Sequence, residues 1–596
     1  MIKVVGKTNP YVIKIATDTE AFQIDNFYEI LDEVNDNPIC RIIKSESLSI
    51  ETVRSTEREI YNDVSAYFPE TKSIYIATAK VETYIKKPVL AGSDVRFPDF
   101  EKIKPFTVKS AIDESFVLGE INGTDVFMDT VPAEYRDLFM VRKDGKMVKQ
   151  TSVPLLFDYK KLSEAPHIGL FGGSGSGKTF ALKVIVEEIM KKQIPTILFD
   201  PHLEMNFKKA RKNMPKELCH DFNTSFKIFT IGNNVGIDFA ELSSNELLMI
   251  LEFAGSVTEA MKTVLSELHS PGDSLVMLQS NIETLIKIKN LLDVHKDVSK
   301  LGLTSAEEAL WRRCGNLVVN VSTLNGLLQR LISVKNEGIF ECGINEIKRA
   351  LLNKKTCVLR GEMKALNIVG SYLISQVYHT RKAYIDGKDV GVEKDKFPPF
   401  IVAMDEAHIF CPKTNESSPI KSILRTIAQE GRKYGAFEIM ATQRPSLLDE
   451  TIVAQMSTKF IFKLNIKEDL NSVEKETDLS REEIDRLPYI NSGESFISSS
   501  IYGKTMSVLI RFNVTDVESK ANPFNELEEE THNSLQDELL KLLPIDNRSM
   551  PSVISSLKKS CNKDYTIAEI TNELEELVKN GEVFKMKGPL GSTYTK

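Results

Sequence analysis

The chain has 596 residues, 42% of them hydrophobic and 27% charged, with a formal net charge of -8. That balance is ordinary for a globular protein, and the length predicts about three to five units of ~100 to 200 residues. No stretch approaches the ~20 consecutive apolar residues that span a bilayer, and Met1-Ile2-Lys3-Val4-Val5-Gly6 lacks a signal-peptide pattern, so a cytoplasmic, unanchored protein is expected. The 7 cysteines, Cys40, Cys219, Cys314, Cys342, Cys357, Cys411 and Cys561, form no C-x-x-C pair. This argues against a zinc site or a disulfide framework and predicts reduced core thiols. The acidic sum runs against a broad basic footprint for nucleic acid. It leaves open a ring that is acidic outside and basic only along its pore.

In chain order, the first ~100 residues read as short β-rich segments, Tyr11–Ile15, Pro38–Ile43 and Ser73–Ala77, which predict a small barrel or sandwich. Residues 1–150 are assigned to this β-rich unit and its linker. Phe116–Ile121 leads through Pro154 to the strand His167–Phe171, after which Phe180–Val186 opens a helix. Pro195–His202 reads as a second buried strand ending in a turn, the alternation of a doubly wound α/β sheet. From 243 to 340 the pattern turns helical, with Thr304-Ser305-Ala306-Glu307 as a capping-box signature before the helix carrying Trp311. Strands resume at Thr356–Leu359 and Phe400–Met404, so residues 151–242 and 341–520 form the predicted α/β core, interrupted by a helical insertion. An acidic segment, Phe524 to Asp546, leads to a C-terminal unit at 535–596. There a helix around Thr566–Lys579 precedes a hairpin from Asn580 to Tyr594, the layout of a winged helix. Lys585 and Lys587 on the wing are candidates for DNA contact, and Glu573, Glu575 and Glu576 on the helix favour a protein partner instead.

The densest chemistry lies in Gly172-Gly173-Ser174-Gly175-Ser176-Gly177-Lys178-Thr179, between that strand and that helix. Glycines let backbone N–H groups turn inward around a β-phosphate, and the helix N-terminus adds its positive end to the same anion. Gly173 through Thr179 are the predicted nucleotide cradle, with Lys178 reaching the β- and γ-phosphates and Thr179 holding Mg2+. Asp405-Glu406 end the apolar strand Phe400–Met404. Asp405 is the candidate for the Mg2+ shell and Glu406 for orienting the attacking water. Gln443, at the end of the next strand, Phe437–Thr442, is a candidate for sensing the γ-phosphate or positioning water. Arg432 is a candidate arginine finger toward a neighbouring subunit's nucleotide; a plain salt bridge is the competing role for it, as for Arg425 and Arg444.

Six segments in order carry a resemblance: the phosphate loop, Ile197–His202, Asp405-Glu406-Ala407-His408, Glu430-Gly431-Arg432-Lys433-Tyr434-Gly435, Thr442-Gln443-Arg444-Pro445 and Leu487–Glu494. Together they resemble the HerA branch of the FtsK/HerA translocases over residues 110 to 515. The resemblance implies a RecA-like P-loop core behind an N-terminal β-barrel, with ATP and Mg2+ as cofactors. It further implies a homohexameric ring that pumps double-stranded DNA, beside a nuclease of the NurA kind or a defence effector such as a sirtuin-like NADase. An ATP-gated scaffold that activates a partner enzyme is the competing function. A membrane-tethered pump is disfavoured by the absence of an apolar span.

Overall fold

The computed structural model describes residues 1–143, 145–296, 301–317, 320–389, 391, 394–414, 418–516, 535–546, 548–560, 564–588 and 591–596. Cys561, the Pro589-Leu590 tip of the predicted wing and residues 524–534 of the acidic segment lie outside them. The chain divides into two compact units, Met1–Val517 and Glu518–Lys596.

The first unit opens with six antiparallel strands: β1 (Ile2–Val5), β2 (Val12–Thr17), β3 (Phe27–Ile30), β4 (Ile39–Ser49), β5 (Ser73–Val81) and β6 (Val95–Arg96). Their order is β1-β2-β5-β4-β3-β6. A bridge between Lys3 and Asp94 brings the two edges together, so the sheet nearly closes into a barrel. Alternation sorts the side chains: Val4, Ile13, Ile15, Tyr28, Ile42 and Ala79 fill one cluster. Val5, Ala16, Ile74 and Ile76 face the other way, against Val53, Ile60 and Val64 of two short helices.

The second sheet has 11 strands. They are β7 (Ser115–Ile121), β10 (Pro154–Asp158), β11 (Ile168–Phe171), β12 (Thr196–Phe199), β13 (Phe226–Thr230), β14 (Thr356–Arg360), β15 (Phe400–Met404), β16 (Ala436–Thr442), β17 (Thr458–Ile461), β18 (Glu494–Ser499) and β19 (Lys504–Ile510), with the hairpin β8 (Met140–Lys143) and β9 (Lys146–Lys149) outside the sheet. The order is β10-β7-β19-β18-β17-β11-β16-β15-β12-β14-β13. From β17 to β13 every pairing is parallel, and β18, β19, β7 and β10 extend the sheet antiparallel. The fold is that of an α/β P-loop protein. The boundary at residue 150 needs correction, because β7 pairs with β19 through Val508↔Ile121 and so belongs to the core sheet rather than to the barrel.

The predicted insertion is helical. It holds Ser244–Ala254, Glu259–Leu268, Leu275–His295, Ser305–Cys314 and Val321–Asn336, whose apolar faces join one core face of the sheet. The Thr304/Glu307 capping box forms on the helix that holds Trp311, and such a cap is worth about 1 kcal/mol. Cys40, Cys314, Cys357 and Cys411 are buried, as core thiols should be, but Cys219 is exposed and Cys342 half-buried, which corrects the expectation for those two.

One core position is costly. Glu438, in the middle of β16, is 0% exposed and neither carboxylate oxygen has a hydrogen-bond partner. Its backbone N–H donates to Nδ1 of buried His167, leaving Nε2–H to donate to the Ala428 carbonyl. Burial pushes the Glu438 carboxyl well above its usual range and holds His167 down at about 4, so burial favours the neutral form of each. A raised carboxyl pKa leaves stability intact at acid pH and erodes it as pH climbs past the ordinary carboxylate range. Glu438→Met is therefore expected to stabilise the chain by about 1–3 kcal/mol at neutral pH, with a smaller gain at pH 5. Urea titrations at the two pH values check this; a loss of stability at neutral pH contradicts it.

The C-terminal unit has a helix at 535–542, β20 (Ile545–Asp546), helices Met550–Ser560 and Ile567–Lys579, and the hairpin β21 (Phe584–Gly588) and β22 (Gly591–Thr595). Its sheet order is β20-β22-β21, over a core that includes Leu539, Leu557, Ile570, Leu574, Leu577 and Tyr594.

Candidate active site

Strand β11 runs into the phosphate loop, which is shaped by two glycines with left-handed backbone, Gly175 (φ +71) and Gly177 (φ +99). The helix Lys178–Lys191 starts at Gly177 and is buried along most of its length. Neighbouring strand ends hold the loop's entry: Gly172 N–H donates to the Thr442 carbonyl (3.2 Å) and Gly173 N–H to the Lys463 carbonyl (2.9 Å). A Cβ on Gly172 would lie 2.5 Å from Ser176 Oγ, so that position tolerates only glycine.

Register brings the other groups to the same sheet edge. Strand β16 lies between β11 and β15, pairing with both in parallel, so Thr442 and Asp405 end beside the loop. Lys178, 4% exposed, reaches Asp405 Oδ1 at 2.7 Å and Glu406 Oε1 at 3.4 Å. Thr179 Oγ1 donates to Asp405 Oδ2 at 2.7 Å. Glu406 sits in left-handed backbone (φ 50), and its Oε1 accepts from Gln443 Nε2. Glu406 Oε2 is buried, accepts no hydrogen bond and lies 3.5 Å from His408 Nδ1. Burial and the charge of Lys178 hold His408 below its usual pKa, against the pull of Glu406, and its Nδ1 bonds to Thr442 Oγ1 at 3.0 Å.

Asp405, Glu406 and Gln443 line a cavity of about 460 Å³ with Gly173 to Phe180, His202, Glu204 and Ser492. Two orphaned polar atoms, Ser176 Oγ and Glu406 Oε2, are what a loop and carboxylate built around a polyphosphate would leave unpaired. The Thr179 hydroxyl beside the Asp405 carboxylate is a hard-oxygen pair that suits Mg2+.

Arg432 is not in this cavity. It is exposed in the last turn of the helix Pro419–Tyr434, whose other face buries Ile420, Leu424, Ile427 and Gly431. Gly431 lets that helix approach β16, since a Cβ there would lie 2.5 Å from the Ala436 carbonyl oxygen, and Gly435 (φ +71) ends it. Arg425 is committed to Asp449 through two hydrogen bonds (2.7 and 3.0 Å), and Arg444 pairs with Asp469 at 3.2 Å. Among the described residues Arg432 makes no ion pair.

Comparison with known proteins agrees with this geometry. Residues 143–369 match a family described as the central domain of the helicase HerA. Over those residues the chain is similar to HerA-type helicases. It is 24% identical over 360 residues to a probable helicase of Methanocaldococcus jannaschii, a region covering 60% of this chain and 64% of that one. It is 25% identical over 343 residues to the DNA double-strand break repair helicase HerA of Saccharolobus solfataricus, covering 57% and 63%. The chain thus spans just under two thirds of the length of these two relatives. Among solved structures, the plasmid coupling protein TrwB with an ATP analogue aligns over 69% of this chain and 98% of its own, at 14% identity and a TM-score of 0.40.

Sequence reasoning missed two contributors to this site. His408 and the turn Asn491–Glu494 stood inside segments that carried the resemblance, but neither had a role. Ser492 Oγ donates to the Gly175 carbonyl (2.9 Å) across 317 residues of sequence, a contact that no local pattern announces.

Proposed function

We propose that this chain is an ATP-driven translocase of double-stranded DNA that works as a homohexameric ring, with its nucleotides at subunit boundaries. The supporting observation is what the cavity has and lacks. Lys178, Thr179, Asp405, Glu406 and Gln443 converge on it, yet no arginine among the described residues lines it, and Arg432 stands exposed outside. A neighbouring copy that presents Arg432 would complete the site.

ATP would take the Gly173–Thr179 cradle, replacing the carboxylates that now neutralise Lys178. Mg2+, held by Thr179 and Asp405, would supply charge neutralisation at the phosphates. Glu406, parked by Gln443, is the group that accepts a proton from the attacking water. The relatives' names, probable helicase and DNA double-strand break repair helicase, favour DNA as the track. No helix among the described residues is long and apolar enough to cross a membrane. A nuclease or an NADase is the class of effector proposed beside the ring.

DNA-stimulated ATP hydrolysis tests this reading directly. Duplex affinity should fall with salt at about -0.9 log units per log unit for each phosphate neutralised and vary little between sequences. Hydrolysis that ignores DNA and responds only to a protein partner would replace the translocase with an ATP-gated scaffold.

One observation favours a scaffold role for the C-terminal unit, which we read as a winged helix. Its wing lysine, Lys585, is engaged by Glu575, which also accepts from Tyr594 Oη at 2.7 Å. Phe584 and Met586 on the edge strand β21 are 67% and 57% exposed. Glu573 is buried and accepts from Gln536 Nε2 at 2.6 Å, so Glu575 and Glu576 are what remains of the predicted acidic face. Removing residues 518–596 is expected to leave the DNA salt slope unchanged; a shallower slope would assign this unit to DNA.

A further inference from the structure

The phosphate loop is held from outside by a segment that also clasps the barrel. The turn Asn491–Glu494 is closed on itself, with Glu494 Oε2 accepting from Asn491 N (2.9 Å) and Oε1 from Asn491 Nδ2 (3.2 Å). It lies against the loop through three contacts. Ser492 Oγ donates to the Gly175 carbonyl (2.9 Å), and Gly493 N–H donates to the Ser176 carbonyl (3.0 Å). A Cβ on Gly177 would lie 2.8 Å from Gly493 N, so the two glycines interlock. Gly493 itself has φ +91, a backbone that disfavours side chains.

The other end of the segment, the helix Arg481–Arg486, is fastened to the barrel. Arg486 grips Asp25 with two nitrogens at 2.7 and 3.2 Å. Glu483 accepts at 2.7 Å from Arg41, which is 1% exposed and also pairs with Asp25 and Glu82 at 3.0 Å each. Glu82 in turn pairs with Lys504 at 3.0 Å. Buried charges held this way are rigid, because removing either partner strands the other in a poor solvent. The segment is not embedded on all sides: Asp25, Arg486, Asn491 and Ser492 border a polar cavity of about 610 Å³ between barrel and core.

We infer that Arg481–Glu494 is a strut through which the seating of the N-terminal barrel sets the conformation of the phosphate loop. Ser492 and Gly493 are positioning residues for the nucleotide, and the Arg486–Asp25 and Arg41–Glu483 pairs carry the barrel's position to them. A partner that shifts the barrel thereby changes nucleotide affinity without touching the cavity. This rests on the reading of that cavity as an ATP site.

The test is titration of the full-length chain with fluorescent ADP and with ATPγS. Ser492→Ala should weaken binding about threefold to tenfold, the cost of one hydrogen bond, and Ser492→Thr should stay near wild type. Arg486→Met, whose side chain contacts no part of the loop, should weaken binding by about twofold to fivefold. The Arg486→Met/Ser492→Ala pair should fall short of the product of the single effects, a coupling that mere loss of folding stability does not produce. Arg96→Met, which removes an ion pair to Glu29 within the barrel, is the control and should leave affinity unchanged. Arg41 is avoided because its loss would strand three buried carboxylates. Wild-type affinity in Ser492→Ala or in Arg486→Met overturns the strut, as does an Arg96→Met effect equal to that of Arg486→Met. A wild-type chain that binds no nucleotide overturns the ATP reading itself, and the strut with it.

Discussion

Lys178→Ala is expected to reduce ATP turnover by about 10²- to 10³-fold or more, because the transferring phosphoryl group loses its buried cationic partner. The substitution also removes the ammonium that lies 2.7 Å from Asp405 and 3.4 Å from Glu406, leaving two buried carboxylates side by side. With the ammonium gone, these carboxylates repel the nucleotide's phosphates without compensation, so nucleotide binding should weaken as well. Glu406→Gln should separate binding from chemistry. The Gln443 amide can still donate to the oxygen at position 406, and Thr179 and Asp405 are untouched. ATP is therefore expected to stay bound while turnover drops by about 10²- to 10⁴-fold for want of a base. Phosphate release and retention of labelled nucleotide through gel filtration measure the two quantities. Wild-type turnover in Glu406→Gln would remove the water-activating role from that residue.

How much of this was legible beforehand depends on how local the cause is. The phosphate loop, the Asp405-Glu406 strand end and the Thr304/Glu307 cap are written in short spacings, because a turn, a strand tip or a helix start is fixed by its own few residues. The register that carries Gln443 beside Glu406 is one step less local, yet a run of buried strands ending in polar residues foretells it. Three features had no such signature. Strand β7 pairs with a strand almost 400 positions away in sequence, so proximity in the chain assigned it to the wrong unit. The Asn491–Glu494 turn reads as an ordinary turn until the fold lays it on Gly175 and Gly177. Glu438 looks like the polar step of a half-exposed strand, but β16 is central and covered on both faces, so the carboxyl is buried unpaired. In each case the deciding fact is which element covers which, and a single sequence does not carry it.

Arg432→Ala is expected to lower hydrolysis by about 10³- to 10⁵-fold while leaving nucleotide affinity in the isolated chain unchanged, because in the proposed ring the guanidinium acts on a neighbour's phosphates. The geometry separates it from the other two candidates. Arg425 and Arg444 are held by Asp449 and Asp469, and pulling either away would strand a buried carboxylate. Arg432 has no such tie among the described residues, and Gly431 and Gly435 fix the helix end that projects it. The competing explanation is that a cation at the last turn of a helix merely complements the helix dipole, worth about 0.3–1 kcal/mol of stability and nothing in catalysis. Mixed rings distinguish the two. A Lys178→Ala subunit still offers Arg432, and an Arg432→Ala subunit still offers Lys178. In a randomly mixed ring about a quarter of the boundaries then pair an intact loop with an intact arginine. Activity should be absent in either parent and peak near equal mixing. If rings assemble from both variants and no activity returns, Arg432 does not work across the boundary.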